Sequence, residues 1–123
     1  MATSSPILGP RLRIVLRPNV AIGPGKADLL EAIRETGSIS AAGRRMKMSY
    51  KRAWQLIEAM NTSFDTPLVE TATGGRAGGG AVLTALGEEV LLRYRKMEAK
   101  TREVVEVDLI ALRERLPAGG QTT

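Results

Sequence analysis

Thr36-Gly-Ser-Ile-Ser-Ala-Ala-Gly-Arg-Arg-Met-Lys-Met-Ser-Tyr-Lys-Arg-Ala-Trp-Gln-Leu-Ile57 holds five cations, Arg44, Arg45, Lys47, Lys51 and Arg52, and no Asp or Glu. The whole 123-residue chain has 18 Lys and Arg against 13 Asp and Glu, a formal charge of +5. Outside this window the two signs therefore cancel. A solvated helical face usually mixes signs, so a window of one sign points to a surface that meets a polyanion. The local signals are helical. Gly37 ends the helix before it, and Ser38 is an N-cap for a short helix through about Arg45. Ile39, Ala42 and Met46 form its inward side, and the small residues Ala41, Ala42 and Gly43 allow another helix to approach. Ser49 caps a third helix from Tyr50 to about Asn61. Ala53, Ile57 and Met60 form its inward stripe, leaving Lys51, Arg52, Gln55 and Glu58 outward or flanking.

Composition removes most other functions. The chain has no His and no Cys. It therefore has no imidazole base, no thiolate nucleophile, no Cys/His zinc site and no disulfide. Gly23-Pro24-Gly25-Lys26-Ala27 fails as a P-loop, because Ala27 follows the Lys and Val20 stands where the first Gly belongs. Residues 74–80 contain no dinucleotide fingerprint that opens a helix. The expectation is a binding protein and not an enzyme, with no metal and no cofactor. No segment reaches the roughly 18 apolar residues of a membrane span. Met1 to Pro10 lacks a signal-peptide pattern. The expected location is cytoplasmic.

On either side of the window the pattern continues. Residues 1–10 read as a mobile arm. Arg11 to Arg17 reads as a strand closed by Pro18 and Asn19, and Gly23-Pro24-Gly25 reads as a turn. Ala27, Leu30 and Ile33, widened by Leu29, mark the first helix. Pro67 to Ala72 and Ala81 to Thr84 read as two strands around the Gly-rich stretch 73–80, a β-hairpin. Thr84 caps a final helix from Ala85 to about Leu116, and residues 117–123 read as a disordered tail. About 32 residues span about 48 Å, against a radius of gyration of about 14 Å for a globule of this size. Leu86, Val90, Tyr94, Met97, Thr101, Val105, Leu109, Leu112 and Leu116 trace one face of that helix. Its first half is expected to cover the domain's own core. The second half is expected to meet the same helix of a second copy in a two-fold homodimer.

Strand, three helices, strand, Gly-rich tip, strand and long helix make a mainly α winged helix-turn-helix. Residues 11–84 form the expected DNA-binding domain, and 85–116 the dimerisation helix. In this plan the third helix enters the major groove by its N-terminal end. Gly37-Ser-Ile-Ser-Ala-Ala through Met46-Lys-Met-Ser-Tyr-Lys-Arg-Ala-Trp54 resembles the LysR-type helix-turn-helix in the version used by the ModE family, the molybdate-responsive bacterial transcription regulators. Glu58-Ala-Met-Asn61 continues the likeness. Leu68-Val-Glu-Thr-Ala-Thr-Gly-Gly-Arg-Ala-Gly-Gly-Gly-Ala-Val-Leu-Thr84 is similar to the family's wing. The similarity covers roughly residues 11–100. It implies the DNA-binding and dimerisation parts. Family members continue into molybdate-binding domains, for which a chain ending at Thr123 has no room, so molybdate is not expected to bind this chain directly.

The expected partner is double-stranded DNA, read at a pseudo-palindromic operator by a homodimer. Arg52 is expected to contact guanine, and Lys51 phosphate, with Tyr50 beside them on the first turn of the third helix. Ser49 caps the helix, and a phosphate contact from the same hydroxyl stays open. Gln55 reads adenine or is a solvated amide. Trp54 is a packing residue before it is a base contact. Arg44, Arg45 and Lys47 are phosphate candidates, one of which only faces water. Arg76 at the wing tip reaches phosphate, or sits incidentally on a floppy hairpin. Arg93, Arg95, Lys96 and Lys100 read as solvated or intersubunit charges. The competing reading is a DNA-binding or adaptor subunit that receives its signal from a separate sensor protein.

Overall fold

The computed structural model describes residues 9–72 and 80–118. Four helices and two antiparallel hairpins surround one core: β1 (Ile14–Arg17), β2 (Val20–Ile22), α1 (Pro24–Thr36), α2 (Ile39–Arg45), α3 (Tyr50–Ser63), β3 (Val69–Ala72), β4 (Gly80–Leu83) and α4 (Ala85–Arg113). The architecture is the expected winged helix-turn-helix with a long last helix. One strand was not read from the sequence. β2 pairs with β1, Ile14 opposite Ile22, around a turn in which Asn19 has φ of 70°. Three residues are too few to show alternation, and only the pairing reveals the strand. Gly23-Pro24-Gly25 is likewise no separate turn, because Pro24 and Gly25 begin α1. A proline is accommodated at the first helical position, where its missing N–H would have no intrahelical partner.

Three of the helices begin on a side-chain cap. The Ser38, Ser49 and Thr84 side chains accept from the backbone N–H of Ala41, Arg52 and Gly87, all at 3.0 Å. Gly37, with φ of 69°, closes α1 and returns its N–H to the Ile33 carbonyl. That left-handed conformation suits a residue without a Cβ. The predicted inward stripes are buried, Ala27, Leu29, Leu30 and Ile33 of α1, Ile39 and Ala42 of α2, and Ala53, Ile57 and Met60 of α3, except that Met46, the cap residue after α2, is only half-buried against the core. Among the described residues no polar or charged residue is buried. The core is held by area removed from water, about 25 cal/mol per Å².

β3 and β4 pair from Val69 opposite Leu83 to Ala72 opposite Gly80, so the expected wing is present up to its tip. Residues 73–79 lie outside the described residues. The base of the hairpin is tied at Leu68. The Leu68 carbonyl accepts from the Thr84 backbone N–H at 2.9 Å, and the Thr84 hydroxyl donates to the Pro67 carbonyl at 2.8 Å. Gly87, in the first turn of α4, presses on the same peptide. A Cβ there would sit 2.2 Å from the Leu68 oxygen.

α4 docks on α1 through Arg95, which hydrogen-bonds Asp28 at 2.8 Å and also meets Glu31 and Glu98. Burial opposes this charge, but its hydrogen bonds to Asp28, Glu31 and Glu98 outweigh burial and push its pKa up. Arg95 is thus an intramolecular tie and not a solvated or intersubunit charge. It follows Tyr94 on the helix, and that position faces α1. Tyr94 is fully buried and donates its hydroxyl to the Leu12 carbonyl. Burial, reinforced by Glu98, raises the pKa of this hydroxyl. No residue beyond Tyr94 on α4 is buried, and the helix closes at Arg113. No helix among the described residues is long and apolar enough to cross a membrane.

Gly87→Ala is expected to lower stability by about 2–3 kcal/mol. The added methyl meets backbone that other bonds hold in place. Thermal unfolding followed by circular dichroism checks it, with a fall of about 10 °C or more. An unchanged melting temperature overturns the close approach.

Candidate nucleic-acid interface

The cations of the helix-turn-helix window all lie on the surface. Arg44 and Arg45 occupy the last turn of α2, and Lys47 the turn after it. Ser49 is the cap of α3, and Tyr50, Lys51 and Arg52 form its first turn. Gln55 follows one turn on. All eight are exposed. Folding therefore leaves every candidate of residues 44–55 exposed at the end of α2, in the turn or on the first turns of α3. Arg76, the wing-tip candidate, lies outside the described residues.

The turn between the helices is made by backbone bonds. The N–H groups of Met46, Lys47 and Met48 donate to the carbonyls of Ala42, Arg44 and Gly43. Lys47 has φ of 58°, a left-handed conformation that costs a residue with a Cβ about 1–2 kcal/mol. Gly43 is buried where α2 meets α3. A Cβ there would lie 3.6 Å from the Ala53 Cβ, which is ordinary contact, so the small residues of α2 do bring the two helices close.

The first turn of α3 carries no acidic residue. Its Ser49 cap satisfies the Arg52 N–H, and the helix dipole adds partial positive charge at the same end. Phosphate oxygens are the natural counterpart of such an end. The cations do not stand alike, however. Arg45 forms an ion pair with Glu35 of α1, which lies outside the all-basic window. Arg44, Lys47, Lys51 and Arg52 make no ion pair among the described residues. No local spacing signals the Glu35 contact, because the partners lie ten residues apart in sequence on different helices.

Tyr50 and Trp54 form an edge-on aromatic pair with centroids 6.2 Å apart. Trp54 is half-buried and packs against the core, while Tyr50 is 55% exposed. Trp54 is thus a packing residue, as expected, and it steadies the Tyr50 ring on the exposed face.

Sequence reasoning missed Asn61 as a positioning residue. Its side-chain oxygen accepts from the Leu68 and Val69 N–H groups at 2.8 and 3.0 Å, and its amide donates to the Val69 carbonyl at 3.1 Å. These three bonds fix the end of α3 to the start of the wing. The apolar stripe carries no trace of them, because they depend on backbone that returns after a loop.

The expected dimer residues of α4 divide. Tyr94 belongs to the protomer's own core, and Leu86 and Val90 pack against it half-buried. Met97, Val105 and Leu109 are half-buried, and Leu112 is exposed. The most exposed large hydrophobics of the helix, Val104 and Val107, were not in that stripe.

Comparison with known proteins places this geometry among bacterial regulators. The family described as bacterial regulatory helix-turn-helix protein, lysR family, matches residues 26–88, just over half of the chain. The molybdenum-pterin-binding protein MopB of Rhodobacter capsulatus is 46% identical over 86 residues, covering 70% of this chain and 32% of that protein. The transcriptional regulator ModE of Haemophilus influenzae is 42% identical over 92 residues, covering 75% and 36%. The DNA-binding transcriptional dual regulator ModE of Escherichia coli K12 is 41% identical over 83 residues, covering 68% and 32%. The chain spans about a third of the length of these relatives.

Two substitutions probe the geometry. Asn61→Ala leaves two N–H groups and a carbonyl without their partner and is expected to cost about 2–3 kcal/mol in urea unfolding. Lys47→Gly relieves the left-handed turn and is expected to leave stability equal or higher by up to about 1 kcal/mol, whereas Lys47→Val lowers it. The reverse order would refute the turn geometry.

Proposed function

The chain belongs to the lysR family of bacterial regulatory helix-turn-helix proteins, and from that premise we propose that it is a sequence-specific, double-stranded-DNA-binding transcription regulator in molybdenum-linked gene control. The observation that carries this reading is the first turn of α3. There Tyr50, Lys51 and Arg52 stand exposed beyond a capped helix end without an acid. That end enters the major groove. Arg52 reaches the O6 and N7 of a guanine, Lys51 a phosphate, and Gln55 an adenine one turn deeper. Arg44 and Lys47 hold the flanking backbone. Arg45, already paired with Glu35, contributes least. Arg76 is assigned to phosphate beside the wing. The molybdenum link is carried over from similar proteins named for it, the molybdenum-pterin-binding protein MopB of Rhodobacter capsulatus and the molybdenum transport protein ModE of Azotobacter vinelandii. The working unit is a cytoplasmic homodimer on a pseudo-palindrome with half-sites about 34 Å apart.

Selection of bound duplexes from a random pool, followed by binding isotherms across a salt series, tests this. Affinity is expected to fall steeply with salt as phosphate counterions are released. Arg52→Ala is expected to cost about 1–3 kcal/mol and relax preference at one base pair. Lys51→Ala is expected to weaken binding evenly across sequences and to reduce the salt slope by about one. Arg45→Ala is expected to change affinity less than Arg44→Ala. Adding molybdate is expected to leave the isotherm of this chain unchanged. Binding that is indifferent to both salt and Arg52 removes the groove assignment.

A further inference from the structure

Glu35 stands in the last turn of α1. That is the negative end of the helix dipole, where a cation is favoured and a carboxylate is not. Arg34 beside it suits that end and pairs with Glu88 of α4. The other acids of α1, Asp28 and Glu31, are held by Arg95. Glu35 instead pairs with Arg45 in the last turn of α2. Among the described residues this is the one ion pair made by any of the window's five cations.

Stability does not account for the pair. Its side chains are 42% and 48% exposed, and ion pairs open to water contribute little. Arg45 needs no acid to keep it in place, because a cation at the end of α2 already faces the negative end of that helix. Glu35 is therefore set where neither its own helix nor the pair gains much. What it changes is the face that meets DNA, where one cation carries its own counter-ion.

We propose that Glu35 is a positioning residue for DNA binding that acts through Arg45: it holds the guanidinium against α1 as a built-in substitute for phosphate, and keeps this cation out of the phosphate-binding set on every sequence. The proposal rests on the DNA-binding reading above and sets the strength of that binding. Carboxylate and phosphate offer an arginine the same paired-oxygen geometry. A phosphate that takes Arg45 must displace Glu35, and the freed carboxylate then opposes it with like charge. An arginine neutralised within the protein releases no counter-ion from the duplex, so Glu35 lowers both the affinity and its salt dependence. Phosphate contacts carry no sequence information, so the loss is equal on all duplexes. The chain then leaves sooner the non-specific DNA that competes with an operator.

Fluorescence anisotropy of the full chain on a random-sequence duplex, across a salt series, tests the proposal. That probe reads phosphate contacts without base readout. Glu35→Gln is expected to tighten binding about three- to tenfold near about 0.1 M salt, and to steepen the slope of log affinity against log salt by about 0.9, the value of one phosphate. A duplex selected from the random pool gains by the same factor. In an Arg45→Ala background the gain from Glu35→Gln falls below about twofold, which the Glu35 charge acting alone would not show. The melting temperature is expected to stay within about 2 °C of the wild type. A Glu35→Gln chain that binds no tighter overturns the proposal, and so does an equal gain with and without Arg45. A wild-type chain whose binding to both duplexes ignores salt overturns the DNA-binding reading itself, and this proposal with it.

Discussion

Leu68 is the point on which the rest of this structure depends. Its N–H is taken by Asn61 at the end of α3. Its carbonyl is taken by the backbone N–H of Thr84, the cap of α4, and its side chain is fully buried. Gly87 lies against the same carbonyl with no room for a methyl. Three elements with different tasks thus share the backbone of one residue: the helix that presents Arg52, the wing hairpin and the long helix. A shift in any one strains bonds of the other two. That coupling lets a chain of 123 residues hold a recognition helix at a fixed angle to a wing, although a domain of this size has little core to spare.

Electrostatics divide along the same architecture. The core is apolar throughout the described residues, so the charges work at its margins. Arg95 gathers Asp28, Glu31 and Glu98 and ties α4 to α1. Arg34 and Glu88 add a second, more exposed tie between the same helices. Such exposed pairs contribute little individually. Arg95 also neutralises Asp28 and Glu31 of α1, while the cations of α2, the turn and α3 other than Arg45 have no acidic partner among the described residues. Glu35 trims the positive field at Arg45, so the positive surface narrows toward Arg44, Lys47, Lys51 and Arg52.

α4 changes character along its length. Up to Tyr94 it is a core helix, with Gly87, Leu91 and Tyr94 buried. Beyond Tyr94 nothing is fully buried, yet from Val104 to Leu112 every residue but Glu106 and Asp108 is apolar. An apolar surface held in water is unfavourable, and a short N-terminal segment, which brings Gly9 beside Leu109, covers only one side of it.

Much of this was legible in residue order. The caps Ser38, Ser49 and Thr84, the apolar stripes of the first three helices and the all-basic window follow from spacing and side-chain chemistry within a few residues. Those local rules determined the helix-turn-helix, the wing strands and the exposure of Lys51, Arg52 and Gln55. Tertiary structure decided what depends on distant partners. It paired Val20–Ile22 with β1, spent Arg95 on α1, set Glu35 against Arg45 and placed Asn61 on backbone that returns only after the chain has turned. It also set the N-terminal segment along the Leu109 side of α4, which moved the bare apolar face to Val104 and Val107. Periodicity shows that a helix has an apolar side. Which neighbour covers each side is set by contacts between segments far apart in the sequence, and no local spacing encodes those.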